Sequence, residues 1–203
     1  KIAAAKTQAG IDHYDRFLSK GFHGTMSWMV RSRPPRADIR QLLPDAQSVI
    51  VLGLDYRHPR PPRPDYLAGR VSCYAWGRDY HKIIGKQLRN FGKLLQAKDP
   101  EVRTYWGVDS RPLIERAWAQ EAGLGFLGKN CQIISPADSS FYFLAVMLIN
   151  QKLEPDLPLP KDHCGRCTRC LKACPTDAFI APYQMDSRRC ISYLTIEYDG
   201  VVE

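Results

Sequence analysis

No apolar run in these 203 residues approaches the ~18–20 residues that a membrane-spanning helix requires. The longest, Phe141 to Ile149, has the length of a buried strand. No signal-peptide pattern is present, and only 7 cysteines are spread along the chain, which argues against a secreted disulfide scaffold. Internal repeats and low-complexity tracts are absent. So is the P-loop pattern, and Gly125-Phe-Leu-Gly128-Lys-Asn falls short of a full G-x-G-x-x-G. Negative charge is scarce: 21 Asp and Glu stand against 29 Lys and Arg, a net +8 with His neutral. Such an excess hints at a polyanionic partner, nucleic acid ahead of membrane, although solubility alone could account for it. A hydrophobic fraction of 44% with 25% charged residues is that of a soluble globular protein.

What is present is concentrated near the end of the chain. Cys164-Gly-Arg-Cys167-Thr-Arg-Cys170-Leu-Lys-Ala-Cys174-Pro175 has the C-x2-C-x2-C-x3-C-P spacing of bacterial-type cubane iron–sulfur sites. Three thiolates two residues apart can converge on three corners of one cube, and the fourth serves another cluster. A zinc site would pair two short ligand hairpins around a long insert instead. Cys190 follows 16 residues after Cys174, so this region supplies five thiolates where two cubanes need eight. Together with a first residue, Lys1, that is not Met, this sets the expectation that both ends are clipped and that at least three cysteines lie beyond residue 203. Free thiols and a cluster motif point to a reducing cytoplasm.

Taken in order, residues 12–30 read as helix. Val49 to Tyr56 is a continuous apolar run fit for a strand buried on both faces. Arg57 to Asp65, with Pro59, Pro61, Pro62 and Pro64, is a loop at a strand end, where α/β folds place their sites. Ile83, Ile84, Leu88, Phe91, Leu94 and Leu95 mark one face of a helix. Val102 to Val108 reads as a strand. It ends at Asp109-Ser110, a good N-terminus for a helix carrying Leu113, Ile114, Ala117 and Trp118 and closed by Gly123. Leu124 to Asn130 is a glycine-spaced loop, followed by strands over Cys131–Ser135 and Phe141–Ile149. Strand and helix alternate, so residues 1–150 are expected to form an α/β sandwich. A proline-bearing linker spans 151–163, and the cluster module occupies 164–203.

Several residues could carry chemistry. Asp109 is either a helix cap or a reactive carboxyl. Trp76-Gly-Arg78-Asp-Tyr80-His81 could grip a large polar ligand, yet Asp79 could simply cap the helix that follows. The Gly125–Asn130 loop could place backbone amides beside a ligand or only turn the chain. Cys73 and Cys131, isolated in sequence, read as ordinary buried thiols. An α/β domain joined to an iron–sulfur electron wire is most economically an enzyme supplied with single electrons.

The chain resembles the epoxyqueuosine reductase family. The likeness runs through His23-Gly-Thr-Met-Ser-Trp-Met29, Tyr74-Ala-Trp-Gly-Arg-Asp-Tyr-His81 and Val108-Asp-Ser-Arg-Pro-Leu-Ile-Glu-Arg116. It continues through Ala119 to Asn130, the cysteine run, and Arg189-Cys-Ile-Ser-Tyr-Leu-Thr-Ile-Glu197. The resemblance implies a cobalamin-binding α/β sandwich followed by a ferredoxin-like module for two [4Fe-4S] clusters, here incomplete. It implies reduction of epoxyqueuosine to queuosine at the wobble position of tRNA, the last step of queuosine synthesis.

By position, Asp109 matches the family's proton donor, its pKa raised by burial beside the corrin. Trp76, Arg78, Tyr80, His81, Lys129, Asn130 and Ser135 would line the cobalamin and substrate cleft. Cys164, Cys167 and Cys170 match ligands of one cluster, and Cys174 and Cys190 ligands of the other. The implied partners are a tRNA anticodon stem-loop carrying epoxyqueuosine and an external electron donor of the flavodoxin or ferredoxin system, meeting a cytoplasmic monomer. Arg57, Arg60, Arg63, Arg166 and Arg169 are candidates for phosphate contacts or are solvated loop charges. The rival readings are a dehalogenase-like corrinoid reductase, which would not bind tRNA, and an electron or cobalamin carrier, in which Asp109 would be dispensable.

Overall fold

The computed structural model describes residues 1–6, 10–59, 69, 71–137, 139–159 and 163–202. In chain order its elements are β1 (Ile2–Ala4), α1 (Ile11–Ser19), the short helices α2 (Ser27–Arg31) and α3 (Arg33–Ala37), and β2 (Ser48–Asp55). Then come α4 (Tyr80–Lys98), β3 (Thr104–Gly107), α5 (Glu115–Glu121), β4 (Phe126–Leu127), β5 (Ile133–Ile134) and β6 (Tyr142–Ile149). The last part holds α6 (Arg169–Lys172), β7 (Phe179–Ala181), β8 (Gln184–Met185) and α7 (Ile191–Ile196).

The two long apolar runs become the centre of one sheet. Strands β2 and β6 pair antiparallel, with Ser48 opposite Ile149 and Asp55 opposite Tyr142. β1 flanks β2 and β3 flanks β6, giving the order β1-β2-β6-β3 with every neighbouring pair antiparallel. Alternating residues divide between two layers. Val49, Val51, Val146 and Leu148 meet Leu113, Trp118 and Ala119 of the α5 region, with Ile39 and Leu43 behind them. On the opposite face Ala145 and Met147 meet Ile84 and Leu88 of α4. Each fully buried aliphatic side chain there contributes roughly 1.5–3 kcal/mol.

Four expectations are corrected by the structure. The 12–30 helix is interrupted after Ser19, because Gly21 and Gly24 take left-handed φ angles of 65° and 57°. The chain then folds back, and the Tyr14 hydroxyl donates to the Met29 carbonyl at 2.8 Å. The Val49–Tyr56 run is buried only in its first half: Leu52 and Leu54 are 37% and 42% exposed, since α4 packs on Ala145 and Met147 and stops short of the strand's far end. The buried face of α4 is Ile84, Gly85, Leu88 and Gly92, whereas Phe91 and Leu94 lie exposed. A Cβ on Gly85 would sit 3.2 Å from the Trp106 ring, so the small residues let the helix ride close to β3. Finally, no helix starts at Asp109. Arg111 precedes Pro112 and is pushed out of helical conformation, and α5 begins only at Glu115.

Gly123 ends α5 as expected. Its amide donates to Gln120 O (3.1 Å) and that of Leu124 to Ala119 O (2.9 Å), the paired bonds of a left-handed helix end. The stretch read as a linker is pinned along β1. Asp156 accepts from the Ile2 amide (2.7 Å) and the Lys1 ammonium (2.8 Å), and the Leu153 amide donates to Ser48 Oγ (2.8 Å). Residues 160–162 of it lie outside the described residues.

The cysteine-rich part docks on the turn after α1 and on the β4–β5 hairpin. The Ser187 amide donates to Phe22 O (3.1 Å), the Thr25 amide to the Tyr193 hydroxyl (2.9 Å), and the Tyr183 amide to Lys129 O (3.0 Å). Among the described residues no helix is long and apolar enough to cross a membrane.

Candidate active site and cluster loop

Asp109 stands at the C-terminal mouth of β3 in a three-residue turn, with φ 58° and the Ser110 amide donating to Val108 O at 2.6 Å. A non-glycine residue in this conformation is uncommon, and aspartate is one of the few that tolerate it. The turn throws the carboxylate outward, leaving its side chain 72% exposed. The Tyr80 hydroxyl donates to Oδ2 at 3.1 Å, and His81 Nε2 lies 3.5 Å from the same oxygen. Both partners come from the first turn of α4, which Asp79 caps by accepting from the His81 amide at 2.9 Å. Asp79 Oδ1 also lies 3.0 Å from His81 Nδ1, so the imidazole is held between two carboxylates. Burial, and then the Asp109 charge, push the Tyr80 hydroxyl well above its ordinary range. Tyr80 therefore stays a proton donor.

Behind this trio lies an apolar shelf on which Leu52 and Leu54 are exposed among the described residues. The Tyr80 ring stacks on Phe143 at 3.9 Å and 6°, and His81 stacks on Tyr80. Phe143 faces Leu54 across the β2–β6 ladder, and Leu52 continues the row. An open depression of about 260 Å³ is lined by Tyr74 to His81, Trp76 and Arg78 among them. Exposed aliphatic side chains (Leu52, Leu54) with the aromatic and cationic side chains of Trp76, Arg78, Tyr80 and His81 are of the kinds that suit a large ring system with polar side arms, such as a corrin. Among the described residues none supplies the burial expected for Asp109.

Glu115 escaped the sequence reading, because an acid in a first helical turn has a bland explanation. Its Oε1 is sealed from solvent without a hydrogen-bond partner. Burial pushes its pKa up to about 7, against the pull of Arg36 and Arg116 and with the help of Asp109.

The cysteine loop is built from tight turns. The Cys167 amide donates to Cys164 O at 2.8 Å, and Cys170 falls in α6. Cys174 Sγ accepts from the Ala178 amide at 3.4 Å and lies 3.6 Å from Thr176 Oγ1. The amides of Thr176 and Ala178 hold its thiol below the usual range, which suits a thiolate ligand. Cys190 precedes α7. Among the described residues no three His, Cys, Asp or Glu side chains are gathered closely enough to hold a metal ion. The fit is thus one of donor chemistry.

Of the remaining candidates, Lys129 turns its ammonium to the carbonyls of Gly165 (2.5 Å) and Cys167 (3.2 Å). Asn130 accepts from the Gln132 amide within its own turn, and the Ser135 amide bonds Ser139 O. Cys131 is half-buried at φ 60°, and burial raises its thiol. Arg57 is bound to Asp55, Arg166 and Arg169 are exposed, and Arg60 and Arg63 lie outside the described residues.

A mixed α/β domain with a Tyr–His–Asp cluster beside an apolar shelf, joined to a cysteine loop of cubane spacing, defines the class: a two-part iron–sulfur protein. Residues 163–203 match the 4Fe-4S double cluster binding domain, and residues 36–110 match the family described as epoxyqueuosine reductase QueG, DUF1730. An epoxyqueuosine reductase of Synechocystis is 44% identical over 196 residues, covering 97% of this chain and 67% of that protein. The chain belongs to the epoxyqueuosine reductase family.

Its fold is similar to that of a crystallised epoxyqueuosine reductase with an epoxyqueuosine-modified tRNA-Tyr stem loop (35% identity, TM-score 0.78, 96% of this chain and 53% of that one). It is similar also to a Bacillus subtilis epoxyqueuosine reductase whose catalytic aspartate loop is swung out of the active site (35% identity, TM-score 0.76, 96% and 53%). The chain spans about half to two thirds of the length of the proteins it matches.

Proposed function

We propose that this protein reduces epoxyqueuosine to queuosine in the wobble position of tRNA, with Asp109 as the proton donor. The observation that carries this reading is the contact of one Asp109 oxygen with Tyr80 and His81 at the edge of the shelf. Family membership and the stem-loop complex of a relative support the substrate. The overall change consumes two electrons and two protons: both C–O bonds of the epoxide break, its oxygen leaves as water, and a double bond forms between the two ring carbons. Asp109 holds a proton where the oxygen accumulates negative charge, Tyr80 orients the carboxyl by donating to it, and His81, beside the same oxygen, is placed to return a proton to it.

The Asp109 turn is solvent-exposed, and a relative's catalytic loop swings, so we take Asp109 to become buried when substrate closes over it. That burial is what would raise its proton affinity.

Cobalamin is the group we place on the shelf over Leu52, Leu54 and Phe143, rimmed by Trp76, Arg78, Tyr80 and His81; when bound it supplies strongly reducing electrons. Asn130 and Ser135 enter this assignment by motif alone. Cys164, Cys167 and Cys170 would hold one [4Fe-4S] cluster and Cys174 with Cys190 part of a second, in a ferredoxin-like module after an α/β domain of residues 1–150. A flavodoxin or ferredoxin would feed a cytoplasmic monomer.

The test uses the intact protein, reconstituted anaerobically with iron, sulfide and cobalamin, then given a reductant and an epoxyqueuosine-bearing anticodon stem-loop. Queuosine is expected in the digested RNA. Its absence, with clusters and cobalamin loaded, overturns the assignment.

A further inference from the structure

Lys129 was expected in the cleft, yet it points to the cluster loop. It sits in the turn between β4 and β5, and its ammonium donates to two carbonyls of the same cysteine loop, Gly165 at 2.5 Å and Cys167 at 3.2 Å. Its own carbonyl accepts from the Tyr183 amide at 3.0 Å, in the turn between β7 and β8. One residue therefore grips the module at two places, by side chain and by main chain. Nearby, Phe126 at the start of the hairpin stacks on His163 with ring centres 4.6 Å apart, immediately before Cys164. The hairpin is itself tied to α5, because Arg116 donates to Cys131 O at 2.7 Å. Among the described residues no carboxylate pairs with Lys129, so its charge is left to the loop.

We propose that Lys129 is a positioning residue for the iron–sulfur module: its ammonium holds the Cys164–Cys170 loop against the β4–β5 turn and raises the reduction potential of the cluster that loop binds. This rests on the cluster assignment made above. The physical argument is electrostatic. Reduction adds one negative charge to the cluster, and a fixed cation beside the ligand loop stabilises the reduced form more than the oxidised one. Two loop carbonyls satisfied by a cation also cannot reorient, so the thiolates they separate keep their spacing. Electrons delivered from outside would be retained at this cluster more readily with Lys129 than without it.

The test is a potentiometric titration, read by electron paramagnetic resonance, of the intact protein reconstituted with iron and sulfide. Lys129→Met is expected to move one cluster midpoint to more negative potential and leave any other in place. Lys129→Arg keeps the charge and is expected to stay near the wild-type value. Full iron loading with unmoved potentials in Lys129→Met overturns the role of Lys129 and leaves the cluster assignment standing. An equal shift of all clusters also overturns it. Should Lys129→Met fail to load while Lys129→Arg loads at wild-type potential, the charge is what the loop needs and the proposal holds. Loss of loading in both variants reduces Lys129 to packing and overturns it. A wild-type protein that binds no cluster overturns the assignment beneath it as well.

Discussion

Asp109 and Glu115 are two carboxyls six residues apart in the sequence that meet opposite environments. Asp109 is thrown outward by its positive φ, and under the proposed function its proton becomes useful once substrate covers it. Asp109→Asn retains the size and the contact to Tyr80 but cannot donate as a carboxylic acid. Queuosine formation is expected to fall by roughly 10²- to 10⁴-fold, with stem-loop affinity unchanged, as read by nucleoside analysis and a binding titration. One oxygen of the Glu115 carboxyl is sealed from solvent, and its pKa rises from 4.5 to about 7 because burial penalises the charged form. Between these values the folded protein binds more protons than the unfolded one, so stability is greatest below pH 4.5 as far as this group is concerned and declines as pH rises to 7. Glu115→Gln mimics the protonated side chain. It is expected to flatten this decline and to leave the variant more stable above pH 7 by roughly 1–3 kcal/mol, measured by denaturant unfolding across pH.

At the scale of elements, the strands were legible because β2 and β6 announce themselves as uninterrupted apolar runs. The cap by Asp79 and the helix end at Gly123 were also visible, since each depends on one residue's local preference. The α4 face was misjudged because a glycine carries no hydrophobic signal, although Gly85 and Gly92 are what contact β3. The His23–Met29 string carries no legible role in the sequence alone. Its role here is docking: the Thr25 amide and hydroxyl both meet the Tyr193 hydroxyl of α7. Gly24 sits at φ 57°, where a Cβ would fall 2.5 Å from that hydroxyl. Gly24→Ala is therefore expected to cost about 1–3 kcal/mol and to lose hydrogen-exchange protection at Thr25 and along α7 before the β2–β6 core opens.

At the scale of the molecule, the +8 charge and the two-part build bear on how the proposed RNA substrate would be held. If Arg166 and Arg169, exposed on the cluster loop, contact phosphates, stem-loop affinity falls with salt at roughly −0.7 in log–log slope per single-strand phosphate neutralised. Arg166→Ala or Arg169→Ala is expected to make the slope shallower by about one phosphate's share and to weaken binding equally for modified and unmodified stem loops. An unchanged slope in both variants would return these arginines to the role of solvated charges.

The amino-acid sequence by itself pointed to the 4Fe-4S domain, because cysteine spacing over eleven residues is a local property of the chain. It determined the strand cores and the family for the same reason: short strings carry them. Only the tertiary structure decided that the sheet is antiparallel, that half of β2 is left as an open shelf, and that Asp109 meets Tyr80 and His81 across 28 or more residues of chain. It alone sent Lys129 to the cysteine loop. Such facts depend on which faces are covered and on where turns aim side chains, and those are set by contacts between segments distant in the chain.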